Sequence, residues 1–279
     1  MEPQDSNQPD PVTHITGQNR RAWNEIAEVR SRVFPPAEFF AQGNSTLDVR
    51  TVDVVRAAFD RLDGLTLIHL QCATGEDTLS WAVLGARAYG VDIADQQIEI
   101  ARKKAAAAGL AAQFFAADIY ALPAALPAGW PTGQYDVVFT GGGAIVWLPD
   151  LQRWAKIAAA LLRPGGRLVL SEEHPLSNCL DTNEGNLQVV DDYFRRGRPW
   201  EGHTWAHFSG GETATENKYE FNWPLGDIIT ALAQAGLIIE RLEEFPGGPE
   251  WRFGSTESEQ GEMAHLPGEY LIVARKPGG

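Results

Sequence analysis

One segment limits this chain more than any other: Leu67-Ile68-His69-Leu70-Gln71-Cys72-Ala73-Thr74-Gly75-Glu76-Asp77-Thr78, followed closely by Tyr89-Gly90-Val91-Asp92-Ile93. An apolar run, a tight turn, a helical stretch and a second apolar run read as strand, turn, helix, strand. The helix is expected over 77–84, closed by Gly85, because glycine tolerates the positive φ of a helix end. Asp92 lies 21 residues beyond Gln71, where nucleotide-binding α/β folds place the acid that holds ribose hydroxyls. The chain reads as one built to hold a nucleoside.

The turn says which kind. A pyrophosphate cofactor needs a glycine-rich turn, so that bare backbone can reach the phosphates at a helix N-terminus. Here the turn from Gln71 to Gly75 has a single glycine, and Glu76 and Asp77 then open the helix. Those carboxylates suit the helix dipole but repel a phosphate, and Thr74 with Asp77 has the form of a capping box. A phosphate-free ligand carrying a sulfonium and an ammonium suits such a turn better, and S-adenosylmethionine (SAM) is one. A nicotinamide-dependent oxidoreductase would need the missing glycines.

An ordered series follows the turn. A helix is expected over 96–108, capped by Asp95 and ended by Gly109, with Ile98, Ala101, Ala105 and Ala108 on one face. Strands are expected at 113–117, before Asp118-Ile119, and at 134–139, before Thr140 and three glycines. A helix at 151–162 leads through a turn, Arg163-Pro164-Gly165-Gly166, into a strand at 167–171. A helix at 225–235, a strand at 237–243 and an apolar run at 270–274 complete the pattern. Strand and helix alternating through five units argue for a parallel doubly wound α/β sheet.

These segments together resemble class I SAM-dependent methyltransferases, from about Trp23 to the C-terminus. The turn corresponds to that family's E/D-x-G-x-G-x-G, with His69 in the usual acid's place and Gln71 and Ala73 replacing the first two glycines. His-Leu-Gln-Cys is similar to a bacterial subgroup of small-molecule methyltransferases. The resemblance implies a Rossmann-like, seven-stranded, mostly parallel sheet with helices on both faces and an antiparallel last strand. Residues 1–61 are then a tail and helical lid, broken at Pro35-Pro36 and Gly43-Asn44-Ser45, and residues 62–279 the SAM-binding domain. Residues 176–223, polar and aromatic, do not read as a crossover helix and are expected to form an inserted hairpin or cap over a substrate pocket.

Site residues follow. Asp92 offers two carboxylate oxygens to the two ribose hydroxyls. By resemblance, Ile93 packs on the adenine, Gln97 reaches ribose or base, Asp118 accepts from the adenine amino group and the Ile119 backbone reads the ring edge. Gln71, Ala73, Thr74, Gly75 and Gly141 lie near the methionine part. A neutral His69 accepts through only one nitrogen, so the ammonium contact falls to Asp77, a carbonyl or a lid residue. Trp23 belongs to a segment resembling the family's lid, or anchors its helix.

Methyl transfer is an in-line displacement that asks mainly for a nucleophile held about 3–3.5 Å from the reacting carbon, away from water. A base is needed only if the nucleophile starts protonated. His174 is the candidate base, with Glu172 orienting it or binding a cationic amine. Ile145, Trp147, Phe208 and Trp223 are candidate walls for an apolar or aromatic acceptor. No metal site is expected, and the product is S-adenosylhomocysteine.

A net charge of −14 disfavours nucleic-acid substrates. Arg20-Arg21 and Arg195-Arg196-Gly197-Arg198 are too small as basic clusters to reverse that. Cys72 and Cys179 make no disulfide framework, and neither a signal segment nor a membrane-length apolar run is present. The expected protein is cytoplasmic and methylates a nitrogen or oxygen of a small molecule, such as a natural product. C-methylation of an electron-rich ring such as indole, or SAM binding without methyl transfer, stay open.

Overall fold

The computed structural model describes residues 10–183, 186–205 and 207–278. Residues 1–9 of the expected tail and 184–185 of the inserted segment lie outside them. Four helices come first: α1 (Pro11–Glu25), α2 (Ala27–Val33), α3 (Ala37–Ala41) and α4 (Val49–Phe59). Then follow β1 (Thr66–Leu70), α5 (Glu76–Val83), β2 (Arg87–Asp92), α6 (Asp95–Ala108), β3 (Gln113–Ala116), β4 (Tyr135–Gly141), α7 (Leu151–Leu161) and β5 (Leu162–Glu173). Two hairpins pair β6 (Leu180–Asn183) with β7 (Asn186–Val189) and β8 (Trp200–Gly202) with β9 (Lys218–Glu220). The chain ends with α8 (Leu225–Gln234), β10 (Ile238–Pro246), two short helices, α9 (Glu250–Phe253) and α10 (Glu257–Gln260), and β11 (Pro267–Arg275).

Seven strands form one sheet in the order β10-β11-β5-β4-β1-β2-β3. The five from β5 to β3 run parallel, whereas β11 inserts antiparallel between β5 and β10. Successive side chains point to opposite faces of a strand, and both faces here are covered. Ile68, Val138, Leu168 and Ile272 pack under Trp154 and Ala158 of α7 and Leu232 of α8. Leu67, Val137, Val169 and Val273 pack under Val52 and Val55 of α4 and Trp81 of α5. This double cover explains why β1 is an unbroken apolar run.

The sheet agrees with the expected architecture, and three local expectations are corrected. Arg163–Gly166 does not precede the strand but lies within β5, against a register shift in β4 between Tyr135 and Val137. Any side chain at Gly166 would stand 2.8 Å from the Tyr135 carbonyl, so glycine permits that close approach. The capping box at Thr74 is absent: Gly75, at φ 86°, is the N-cap of α5 and no side chain caps it. Ala94, not Asp95, caps α6, because the Asp95 carboxylate is taken by Arg20 and Asn24 of α1.

Helix α1 and the segment inserted between β5 and α8 are fastened together above the carboxyl edge of the sheet. Asn19 of α1 exchanges two hydrogen bonds with the backbone of Tyr219 in β9, at 2.9 and 2.8 Å. Glu25 accepts from the backbone amides of Thr215 and Glu216. Trp205, fully buried, packs beneath these pieces with Ala22, Ile26 and Ala214.

Candidate functional site

A cavity of about 1020 Å³ opens along the carboxyl edge, beneath α1 and the β8/β9 hairpin. Its inner end is the turn after β1. Gln71 and Ala73 hold left-handed backbone there, at φ 60° and 46°, a conformation that costs a residue with a side chain more than it costs glycine. Gly75 is required for packing, since a Cβ would meet the Phe114 ring at 2.8 Å. Neither Gly75 nor Thr74 lines the cavity. Gln71 braces the turn by donating to the Ala144 carbonyl at 2.7 Å, and Asp92 accepts from Ala73 N at 2.9 Å.

Asp92 ends β2 with its other oxygen on Ala94 N at 2.8 Å. Each oxygen spends one lone pair on a backbone amide and keeps one for the cavity. Burial pushes its carboxyl above the usual range, against the pull of those amides. Asp118 accepts from Tyr120 N and from the Thr16 hydroxyl of α1, at 2.9 and 2.7 Å. Ile93, Ile119, Gly141 and Trp23 line the same space. Gln97 does not: its amide donates to the Trp23 carbonyl at 3.0 Å, so it secures α1 and is corrected from a ribose contact to an anchor.

Beneath the turn lies a cluster that local sequence patterns did not reveal. Glu76 is buried and paired with Arg30 of α2, at 2.8 Å, and with Lys104 of α6. Burial alone would raise its carboxyl, but the two cations outweigh it and hold the value at about 2. Two cations against one buried anion leave a surplus positive charge, and Arg30 presents it to the cavity. Asp77 accepts from the Thr46 hydroxyl at 2.7 Å, and burial raises its carboxyl. His69 bonds Thr78 through Nδ1 at 2.9 Å while Nε2 has no partner. Burial lowers its value to about 3, so the ring is neutral.

The outer half is walled by Ile145, Trp147, Phe208 and Trp223. Trp147 stacks on Trp205 at 5.4 Å, and Trp23 meets both rings edge-on. Lys218 sits among the rings of Trp147, Trp200 and Trp205 and pairs with Glu220 at 2.8 Å. Three consecutive groups at the end of β5 go different ways. Glu172 accepts from the backbone amides of Gly143, Ala144 and Ile145, at 2.8, 2.9 and 3.3 Å, and so shapes the loop after β4; burial raises its value to about 8. Glu173 lines the cavity and accepts from Trp251 Nε1 at 3.4 Å, and burial raises its carboxyl against the pull of that bond and of Arg252.

His174 is corrected as a candidate base, because it does not line the cavity. Its Nδ1 accepts from Leu176 N at 3.1 Å, and Nε2 lies 2.9 Å from Glu244 without hydrogen-bond alignment. The one nitrogen able to accept a proton is already in use. Glu172 does not touch it, so its expected orienting role is corrected as well.

Residues 68–166 match the family model of a methyltransferase domain. That stretch runs from β1 into β5 and takes in the turn, Asp92 and Asp118, and it is similar to SAM-dependent methyltransferase domains. The ubiquinone biosynthesis O-methyltransferase of Bordetella pertussis is 33% identical over 110 residues, 39% of this chain and 43% of that one. A ribosomal protein L11 methyltransferase of Neisseria meningitidis is 31% identical over 156 residues, 54% of this chain and 46% of that one. The matches span less than half the length of these two curated relatives. A SAM-dependent methyltransferase structure from Mesorhizobium loti superposes with a TM-score of 0.58 at 22% identity, over 80% of this chain and 96% of that one. The sheet and the turn after β1 are those of a methyltransferase fold. Among the described residues no helix is long and apolar enough to cross a membrane.

Proposed function

We propose that this methyltransferase domain carries a methyl group from SAM to a nitrogen or oxygen of a small organic molecule inside the cavity. The observation carrying this reading is one continuous space that joins Asp92 and Asp118 at its inner end to an aromatic-walled half. A protein or nucleic-acid acceptor would need a broad open surface rather than a roofed chamber.

The residues fit the cofactor. Asp92 keeps a lone pair on each oxygen for the sugar hydroxyls, and Asp118 keeps acceptor capacity for an amino group. The unpartnered Nε2 of His69 and the Asp77 carboxylate face the place for an ammonium. Arg30, with the surplus positive charge of its cluster, suits a carboxylate. When bound, SAM supplies an electron-poor methyl group on a sulfonium. The chain's own part is to orient the acceptor, exclude water and take up any proton released.

Helices α1–α4 act as the lid and residues 176–223 as the cap, each tied to the other through Asn19 and Glu25. For an acceptor that starts protonated, Glu173 is the carboxylate in place to receive the proton, since Glu172 and His174 are committed to backbone amides. The test has two arms. S-adenosylhomocysteine should bind and NADH should not. Incubation with methyl-labelled SAM and a bacterial metabolite extract should then put label on a molecule small enough to enter the cavity. Preference for NADH, or label found only on protein or RNA, would overturn the reading.

A further inference from the structure

Four side chains that line the cavity carry a buried polar atom with no partner: His69 Nε2, Gln71 Oε1, Asn222 Oδ1 and the Tyr270 hydroxyl. Buried polar groups in folded proteins are almost always paired, and an unpaired one calls for a reason. The first two flank the turn after β1, where the cofactor accounts for them. Asn222 and Tyr270 do not belong to that turn.

Tyr270 stands on β11 directly opposite Glu172 of β5, at the carboxyl edge. Its ring is 1% exposed and packs edge-on against His174 at 6.0 Å, so it cannot swing out to water. Among the described residues its hydroxyl meets no acceptor, and Tyr270 lines the cavity, where a bound molecule can supply one. Asn222 follows β9, and its Nδ2 donates to Cys179 Sγ at 3.2 Å and to the Tyr193 carbonyl at 3.5 Å. Donation to a carbonyl sets which end of the amide is nitrogen, so it is the oxygen that is left over. The buried apolar residues Ile145, Leu148, Phe221 and Ile228 line the same cavity.

Resting on the reading above, we propose that Tyr270 and Asn222 form a neutral hydrogen-bonding subsite that selects a hydroxyl or amide group on the methyl acceptor. Tyr270 supplies a donor and Asn222 an acceptor, so a hydroxyl can answer both, and an amide can through its carbonyl and its N–H. An anionic group has no proton for the Asn222 oxygen and would lose its water in a buried place. An ammonium could donate to both oxygens but would be a charge buried against neutral partners, which is costly. The acceptor class is therefore an uncharged, largely apolar molecule with one such polar group, and the subsite fixes which way round it lies.

The test uses the full chain loaded with S-adenosylhomocysteine and two matched probes, p-cresol and toluene. Calorimetry or ligand-observed NMR gives the ratio of their affinities in the wild type and in Tyr270→Phe, which keeps the ring and removes only the hydroxyl. The ratio should shift about tenfold against p-cresol in the variant, the worth of one buried hydrogen bond. Without any ligand, the same variant should melt at a higher temperature, because it loses an unpaired buried hydroxyl. Asn222→Ala should shift the ratio in the same direction. An unchanged ratio, no binding of either probe, or a lower melting temperature for Tyr270→Phe would overturn the subsite. Failure to bind S-adenosylhomocysteine would instead overturn the functional reading, so the two failures are told apart.

Discussion

The two halves of the cavity are built in opposite ways. The inner half is made of short-range polar geometry: Asp92 holds the backbone of Ala73 and Ala94, Gln71 holds Ala144, and charges sit buried under the turn. The outer half is made of rings, with Trp23, Trp147 and Trp205 packed face and edge and Lys218 among them. The first arrangement tolerates few replacements and suits an invariant ligand. The second can be resurfaced one ring at a time, which suits a ligand that differs from enzyme to enzyme.

The sharpest way to break this contrast is at the buried charges. Glu76→Gln leaves Arg30 and Lys104 facing each other below the turn, and should cost about 3–5 kcal/mol in chemical denaturation. A loss no greater than that of an ordinary surface change would mean the inner half is not held by charge. Trp205→Ala should cost about 3 kcal/mol or more, yet in a confined place. Hydrogen exchange should quicken in α1 and residues 207–214 and stay slow in β1 and β2; equal quickening would join the halves into one unit.

Asp92→Ala should weaken S-adenosylhomocysteine on the order of a hundredfold, by removing two charge-assisted hydrogen bonds. Undiminished affinity by calorimetry would remove the nucleoside reading of the inner half. Acid gives a smaller effect. His69 takes its proton near pH 6.5 when unfolded but only at about 3 in the fold. Its contribution is thus complete above the unfolded value and lost as pH falls toward the folded one, about 2 kcal/mol by about pH 5. His69→Gln should flatten that stretch of the stability curve. His207, lowered by partial desolvation and by the cations Lys218 and Arg252, works in the same direction. It is exposed to water in the roof, so His207→Gln should change the curve least.

How much could be read in advance follows the same divide. β1, α5, β2 and Asp92 were legible because strand, turn, helix and acid lie within one short stretch and obey local rules. Arg30 and Lys104 were not, since their meeting with Glu76 spans 46 and 28 residues and no periodicity marks it. Tyr270 sat in an apolar run and read as plain core. Ser171-Glu172-Glu173-His174 showed the right chemistry for a base but not which way each side chain turns, and that depends on amides of a different loop. Gln97 faced the right helix end and was claimed by the Trp23 carbonyl.

The buried cluster beneath the turn also bears on how such a chain drifts over time. Glu76, Arg30 and Lys104 come from three helices, and neutralising Glu76 would leave two cations against each other with no anion between them. The three positions should change together or not at all among kindred chains, while the tryptophans overhead come and go.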